Sequence, residues 1–422
     1  MLRAEQAQAV ILDPIAPLRT EDVDLHDALG RVLAEDVIAG RDQPPAANSA
    51  MDGYAVRWAD LADLVADADP VALTVAEVIA AGGWSERTLQ PGEAARIFTG
   101  APLPPGADHI VKQEWATAQD DGESVLINRT GSGPGHHVRG AGEDVASGDV
   151  VVPAGRSLTP ADLALLASQG APTVRCIRRP IVAIVSTGDE VHEPGVDLPP
   201  GHIYSGNHYA LEAYIREAGG VPRYLGIARD TLDSLRSVFG RIEGSDAVVS
   251  IGGVSVGDYD LVRKILAEIG GEQHFWKVAT RPGKPNACGT LGGIPYFGLP
   301  GNPVSCMVSF LQYVRPALRK MQGATDLYLP TVEAVLDHDL ESKAGFMFLY
   351  RAIVDFDRSD GRYHVGTTGL QGSGMMSSMA RANCLIVVPE DSSFVAAGQS
   401  VTVQFLPGAV AGQAEPRLRK EA

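Results

Sequence analysis

Ile181-Val-Ala-Ile-Val-Ser186 is an unbroken apolar run that leads directly into Ser186-Thr-Gly-Asp-Glu190. A continuous run of this kind marks a strand buried on both faces, as in parallel sheets covered by helices. The residues that follow keep the rhythm. The pattern predicts helices over 207–219, 231–239 and 259–269, strands over 222–227 and 246–251, two short apolar runs at 287–291 and 295–299, and a long helix over 303–321. Strands alternating with helices predict a mostly parallel sheet with helices on both faces and ligand-binding loops beyond the carboxyl ends of the strands.

Outward from this segment the texture changes twice. Residues 1–40 carry Leu25, Leu29, Val32 and Leu33 at a helical period and are expected to be helical. Residues 150–176 predict a strand and then a helix, with Thr159 as cap, Pro160 at the first helical position and Gly170 as the stop. Between them, short β-like runs sit among Gly and Pro, the mark of a small β-rich module. Residues 331–407 are again β-rich. The 422 residues exceed what one core normally organises. The expected class is therefore α/β plus β.

The chain has 35 basic and 52 acidic side chains, a formal charge of −17. Nucleic-acid binding is disfavoured by that sign, and any anionic ligand needs a local cluster of donors. Cys176, Cys288, Cys306 and Cys384 lie far apart, which predicts buried thiols in a cytoplasmic protein rather than a zinc site or disulfide framework. No signal peptide is expected at the start, and no apolar run reaches the roughly 20 residues of a membrane span.

Four loops carry candidate chemistry. In Ile251-Gly-Gly-Val-Ser-Val-Gly-Asp-Tyr-Asp260, the glycines Gly252, Gly253 and Gly257 let backbone N–H groups close on an anion ahead of a helix. The same stretch matches the Gly-x-Ser-x-Gly elbow, which leaves a serine hydrolase built on Ser255 as an alternative. Asp258 and Asp260 in the first helical turn suit capping, a metal or proton transfer better than an acyl-enzyme. Ala279-Thr-Arg-Pro-Gly-Lys-Pro-Asn286 holds Arg281 and Lys284 on a rigid turn, an expected oxyanion seat. Phe297-Gly-Leu-Pro-Gly-Asn-Pro-Val-Ser305 places Asn302 at a helix cap and Ser305 in the first turn. Ser186-Thr-Gly-Asp-Glu190 presents adjacent carboxylates. Together they predict a phosphorylated ligand with a divalent metal. His136 and His137 are expected to be a solvated pair on a Gly-rich loop, because no third ligand is in view.

Three further motifs complete an ordered set of seven: Asn48-Ser-Ala-Met-Asp-Gly-Tyr-Ala-Val56, Thr99-Gly-Ala-Pro-Leu-Pro-Pro-Gly-Ala-Asp108 and Gly142-Glu-Asp144. In that order, over about residues 5–407, the set resembles the molybdopterin molybdenumtransferase family, the bacterial MoeA proteins and the gephyrin E domain. The resemblance implies a helical linker and dimerisation domain (1–40 and 146–176), an inserted β-rich domain (41–145), a three-layer α/β domain (177–324), a C-terminal β domain (325–410) and a tail (411–422). It implies a homodimer, and contacts with other cofactor-biosynthesis proteins. The implied reaction is insertion of molybdate into adenylylated molybdopterin, with Mg²⁺ required and AMP released. A gephyrin-like non-catalytic scaffold is the other alternative.

By the same resemblance, Asp260, Lys284, Arg281, Glu190, Asp52, Thr99 and Asp144 match residues implicated in activity, and Asp260 with Asp189 would hold the metal. Pro285, Gly301, Asn302 and Ser305 match the pterin and anion seat, and Arg351, Ser373 and Ser378 the molybdate region. Position 281 departs from the pattern, with Arg where the family usually has Lys. The charge is kept and a planar fork gained, but a role that needs a deprotonatable amine there is put in doubt.

Overall fold

The computed structural model describes all residues except 62–63, 65–68, 121, 254–260, 269 and 409–422. The expected sites Ser255, Gly257 and Asp260 lie outside the described residues. The chain folds as two compact units. One comprises residues 1–34, 155–158 and 174–422, the other residues 35–154 and 159–173.

In the first unit a six-stranded sheet runs in the order Val221–Ala228, Ile181–Thr187, Ala247–Ile251, Ile294–Leu299, Pro285–Leu291, Gly271–Lys277. The first four strands are mutually parallel and the last two antiparallel. Alternation within the apolar runs explains why helices cover both faces. Val182, Ile184, Ala247 and Val249 meet the helices Asn207–Glu217 and 303–321 on one side. Ala183, Val185 and Val248 meet Leu232–Phe239 and Leu261–Glu268 on the other.

The helix expected over 303–321 is continuous but contains a π turn, Phe310–Val314, followed by Arg315–Met321. Pro316 is the cause: it lacks an N–H, and its ring would strike the carbonyl of Gln312 in a regular helix. The freed Gln312 carbonyl accepts a hydrogen bond from Gln8 Nε2 at 3.1 Å.

A second sheet of this unit closes on itself. Met347–Asp357, Arg362–Thr367, Thr331–Leu336, Ser400–Phe405 and Cys384–Val388 follow one another, and the last pairs back with the first. Thr280–Arg281 adds to it in parallel, opposite Met347 and Phe348. The strands Gly271–Lys277 and Arg362–Thr367 were not anticipated, being too polar to show an apolar run.

The helical expectation for residues 1–40 is corrected. Only Ala4–Leu12 is α-helical, and Leu25–Asp27 is a short 3₁₀ turn. Thr20–Asp24 and Val32–Leu33 are strands on either side of Thr173–Ile177. Val23, Val32 and Leu33 are buried there, so tertiary strand pairing overrides the local period. In residues 146–176, Thr159 accepts the cap bond for Pro160–Ser168 as expected, with strands on both sides of the helix. All four cysteines are free and buried. Among the described residues no helix is long and apolar enough to cross a membrane.

The second unit is built on a six-stranded sheet in the order His109–Lys112, Gly53–Val56, Glu93–Ile97, Val71–Ile79, Ser124–Ile127, Ala116–Ala118. The pair His136 and His137 is not a solvated loop, which corrects the sequence reading. Their ring centroids lie 4.0 Å apart, and His136 stacks on Trp115 at 6.0 Å and on His109 at 5.7 Å. Nε2 of each is buried without a hydrogen-bond partner. The loop supports its neighbour, since the His137 carbonyl accepts from Ala50 N, and Val138–Arg139 pairs with Asn48–Ser49.

Burial holds His109 below its ordinary value of 6.5, against the opposing effect of the Gly133 carbonyl. Burial also lowers His137, helped by His136 and Lys112. With unfolded values near 6.5 and lower folded ones, their stabilising contribution is complete above that pH and is lost as pH falls through the folded values. Amide exchange in Val138–Arg139 and His109–Lys112 is therefore expected to accelerate between about pH 7 and about pH 5. Exchange that stays constant across that window, after correction for the intrinsic rate, would contradict the assignment.

Candidate active site

Two adjoining cavities lie at the carboxyl ends of the parallel strands. The smaller, about 370 Å³, is lined by Arg281, Lys284, Ser305, Arg351, Gln371 and Ser373, among others. Its floor is the turn after Thr280–Arg281. Gly283 has φ +106°, and a Cβ there would lie 2.6 Å from Ser309 Oγ, so glycine is required on both counts. The Gly283 carbonyl accepts from Asn286 Nδ2, which closes the turn. The Arg281 guanidinium lies 4.7 Å from the Phe346 ring centroid, and Lys284 Nζ 5.7 Å from the same ring. An aromatic face holds a cation without neutralising it.

Arg351 is the most constrained cation of the group, with 1% of its surface exposed. Its Nε donates to Ser378 Oγ at 3.1 Å and Nη2 to the Gly372 carbonyl at 3.0 Å. Gln371 grips its backbone on both sides, accepting from Arg351 N at 2.9 Å and donating to its carbonyl at 3.0 Å. Burial pulls the guanidinium down to about 10, so it stays charged at neutral pH. Among the described residues no carboxylate pairs with it. A buried, hydrogen-bonded cation without a counter-charge is a seat for an anion.

The larger cavity, about 700 Å³, is bounded by Ser186, Glu190, Ser205, Asp230, Gly252 and Gly301, among others. Gly253 lies in the same wall at φ +68°, where a Cβ would come within 2.4 Å of Val262 Cγ2. Asp230 N donates to Asp189 Oδ1 at 3.0 Å. Burial raises the Asp230 carboxyl, and the charges of Asp189 and Glu190 raise it further. Pro285, Pro300 and Asn302 line both cavities, so a cationic pocket and a carboxylate-bearing cleft are continuous.

The expected residues thus divide. Lys284, Arg281, Ser305, Arg351, Ser373 and Pro285 come together in the smaller pocket, and Glu190, Gly252, Gly253 and Gly301 in the larger cleft. Ser378 is fully buried behind Arg351, accepting from it and donating to the Met375 carbonyl, and does not line either cavity. Asp189 holds the Asp230 backbone. Asn302 occupies the cap position but makes no side-chain cap bond, which corrects its capping role; its carbonyl accepts from Cys306 N instead.

In the other unit, Thr99 donates to Asp52 Oδ1 through both N and Oγ1 at 2.8 Å, which lowers the Asp52 carboxyl. Arg96 adds to that lowering and lies 4.9 Å over Phe98. Asp144 Oδ2 accepts from Gln43 Nε2 at 3.1 Å. Sequence reasoning missed Phe346, Gln371 and Asp230. The last was discoverable, because it closely follows the carboxyl end of a parallel strand.

Residues 2–170 match the MoeA N-terminal region (domain I and II), 183–320 a probable molybdopterin binding domain, and 333–406 the MoeA C-terminal region (domain IV). The chain is 40% identical to the molybdopterin molybdenumtransferase of Nostoc sp. over 92% of its own length and 89% of that protein's. It is 36% identical to that of Haemophilus influenzae over 96% and 98%. The molybdopterin biosynthesis moeA protein of Pyrococcus horikoshii superposes with a TM-score of 0.82 at 29% identity, covering 96% of this chain and all of that one. The multidomain architecture is therefore that of MoeA structures. The chain belongs to the molybdopterin molybdenumtransferase family, whose members are transferases of molybdenum cofactor biosynthesis.

Arg351→Met should preserve or raise the melting temperature, since an uncompensated buried charge is removed, yet weaken oxyanion binding. The loss of about 1.5–3 kcal/mol expected of a charged hydrogen bond corresponds to roughly a 10- to 100-fold weaker Kd for molybdate. Isothermal titration with molybdate tests this, and unchanged affinity would exclude Arg351 from the seat.

Proposed function

We propose that this chain inserts molybdenum from molybdate into adenylylated molybdopterin, giving molybdenum cofactor and AMP. The observation that carries the reading is Arg351, buried without a carboxylate beside Lys284, Arg281 and Ser305 in a pocket continuous with the larger cleft. A tetrahedral dianion suits the pocket, where three cations converge inside a chain of net charge −17. The pterin and its adenylate would occupy the adjoining cleft, bringing the dithiolene sulfurs to the molybdate. One oxo group then leaves as water, taking the two thiol protons while two molybdenum–sulfur bonds form.

The donors available in the cleft fit Mg²⁺. Glu190 and Asp230 are oxygen ligands on its wall, and the Asp230 carboxyl is raised by burial and then by the charges of Asp189 and Glu190, which a divalent cation would offset. Asp189 would assist, together with Asp260 from outside the described residues. The ion, when bound, supplies charge neutralisation at the adenylate phosphates. This chain's own residues seat the oxyanion (Lys284, Ser305, Arg351, Arg281) and hold the oriented backbone around it (Gly283, Gln371). The cation–π contacts of Arg281 support retention of anion binding despite the departure from Lys.

The reading includes the four-region division, with a linker region of 1–40 and 146–176, an inserted region of 41–145, a three-layer region of 177–324 and a C-terminal β region of 325–410. It also includes a cytoplasmic homodimer in transient contact with other cofactor-biosynthesis proteins. In it Asp52, Thr99 and Asp144 serve activity, and the hydrogen bonds from Thr99 support keeping Asp52 ionised.

Incubation with adenylylated molybdopterin, Mg²⁺ and molybdate should release AMP and load molybdenum in parallel. Lys284→Met is expected to reduce loading at limiting molybdate by roughly 10- to 100-fold. Wild-type protein that does neither would overturn the assignment.

A further inference from the structure

Behind the wall of the larger cleft lies a hydrogen-bonded group that the scheme above does not use. Ser205 lines the cleft and is 5% exposed. Its Oγ lies 2.7 Å from His208 Nδ1. His208, 2% exposed, stacks on Tyr224 with ring centroids 4.0 Å apart and planes 4° apart. His208 Nε2 lies 3.8 Å from Glu193 Oε2. Tyr224 donates to Glu193 Oε1 at 2.7 Å, and its hydroxyl oxygen lies 3.4 Å from Ser186 Oγ, a second cleft residue.

We propose that Ser205, backed by His208 and Glu193, accepts the proton of the water that cleaves the adenylate of the bound substrate. Ser205 is the catalytic residue in this scheme, and His208 and Glu193 act through it as positioning and proton-holding residues. The inference rests on the function proposed above and assigns residues to its AMP-releasing step.

The network favours one tautomer. A carboxylate faces Nε2, so Nε2 carries the hydrogen and Nδ1 accepts from the Ser205 hydroxyl. That direction leaves the lone pairs of Ser205 Oγ available to the cleft, as a proton acceptor. A water attacking phosphorus forms a new P–O bond and breaks the bridging P–O bond of the anhydride. AMP and the pterin phosphate separate. The water's proton goes to Ser205 Oγ while the serine's own proton passes to His208 Nδ1, and Glu193 stabilises the resulting imidazolium. The proton is later lost to solvent through Glu193, whose side chain is 44% exposed. Charge and atoms balance without a further reactant.

Protonation competes with this role. Burial lowers His208, while Glu193 and Glu212 raise it, and the net direction is downward. Tyr224 is pushed well above the ordinary tyrosine range, chiefly by burial, and stays neutral. His208 is therefore an unprotonated base at neutral pH and is lost as an acceptor on acidification.

His208→Asn keeps an amide oxygen able to accept from the Ser205 hydroxyl but cannot take up a proton. In single-turnover assays with adenylylated molybdopterin, Mg²⁺ and molybdate, this variant should bind substrate as the wild type does. It should release AMP about 100-fold more slowly, in the range for loss of a general base, and should lack the acid limb of the wild-type pH profile. Wild-type rate and profile in the variant would overturn the relay and leave the proposed function standing. Wild-type protein that binds substrate without releasing AMP would overturn both. Should the variant fail to fold, the solvent deuterium isotope effect on wild-type release decides: a normal effect supports the relay, and its absence overturns it.

Discussion

The parallel pairing of Thr280–Arg281 with Met347–Phe348 is the contact on which the cation pocket depends. It ties a turn that leaves the open sheet to the strand Met347–Asp357 of the closed one. Phe348 stands opposite Arg281, and Arg351 follows three residues on, roughly 10 Å along the strand at the usual rise. Register alone thus sets the spacing of two cations that are 70 residues apart in sequence. The aromatic residues at the start of the strand then hold Arg281 and Lys284 by their faces, and Gly283 lets the turn pass beneath them.

Electrostatics gives that geometry its purpose. In a chain of net charge −17, most cations are expected to find a carboxylate, and many do, as Arg178 does with Asp246. Arg351 does not. Its desolvation is tolerated because three neutral groups, Ser378, Gly372 and Gln371, hold the residue in place while its charge faces the cavity. The adjoining cleft carries the opposite arrangement, where burial and then the charges of Asp189 and Glu190 raise the Asp230 carboxyl. A dianion and a phosphorylated, metal-dependent ligand therefore meet complementary halves of one cavity.

Much of the open sheet was legible because its strands are apolar on both faces and need no partner to declare themselves. Ile181–Thr187 and Ala247–Ile251 fall where the continuous runs predicted, as does the Thr159 cap. Residues 1–40 misled, because the spacing of Leu25, Leu29, Val32 and Leu33 imitates a helix while the burial that matters is cross-strand pairing with Thr173–Ile177. The π turn was hidden for a related reason. Pro316 signals a break, but whether a helix kinks, stops or bulges depends on what receives the freed carbonyl, here Gln8.

By itself the sequence determined the chemistry available: Lys284 and Arg281 on a Pro-Gly turn, glycines after a buried strand, adjacent carboxylates at 189 and 190, and an ordered set of motifs that identified the family. Those are local properties, set by backbone restriction and side-chain type. Only the tertiary structure decided which of them share a cavity. It placed Arg351 with Lys284, drew in Asp230, moved Ser378 behind the pocket and brought Tyr224 and Glu193 to His208. The physical reason is that desolvation and hydrogen-bond satisfaction depend on neighbours distant in the chain, and no local pattern encodes which distant group will arrive.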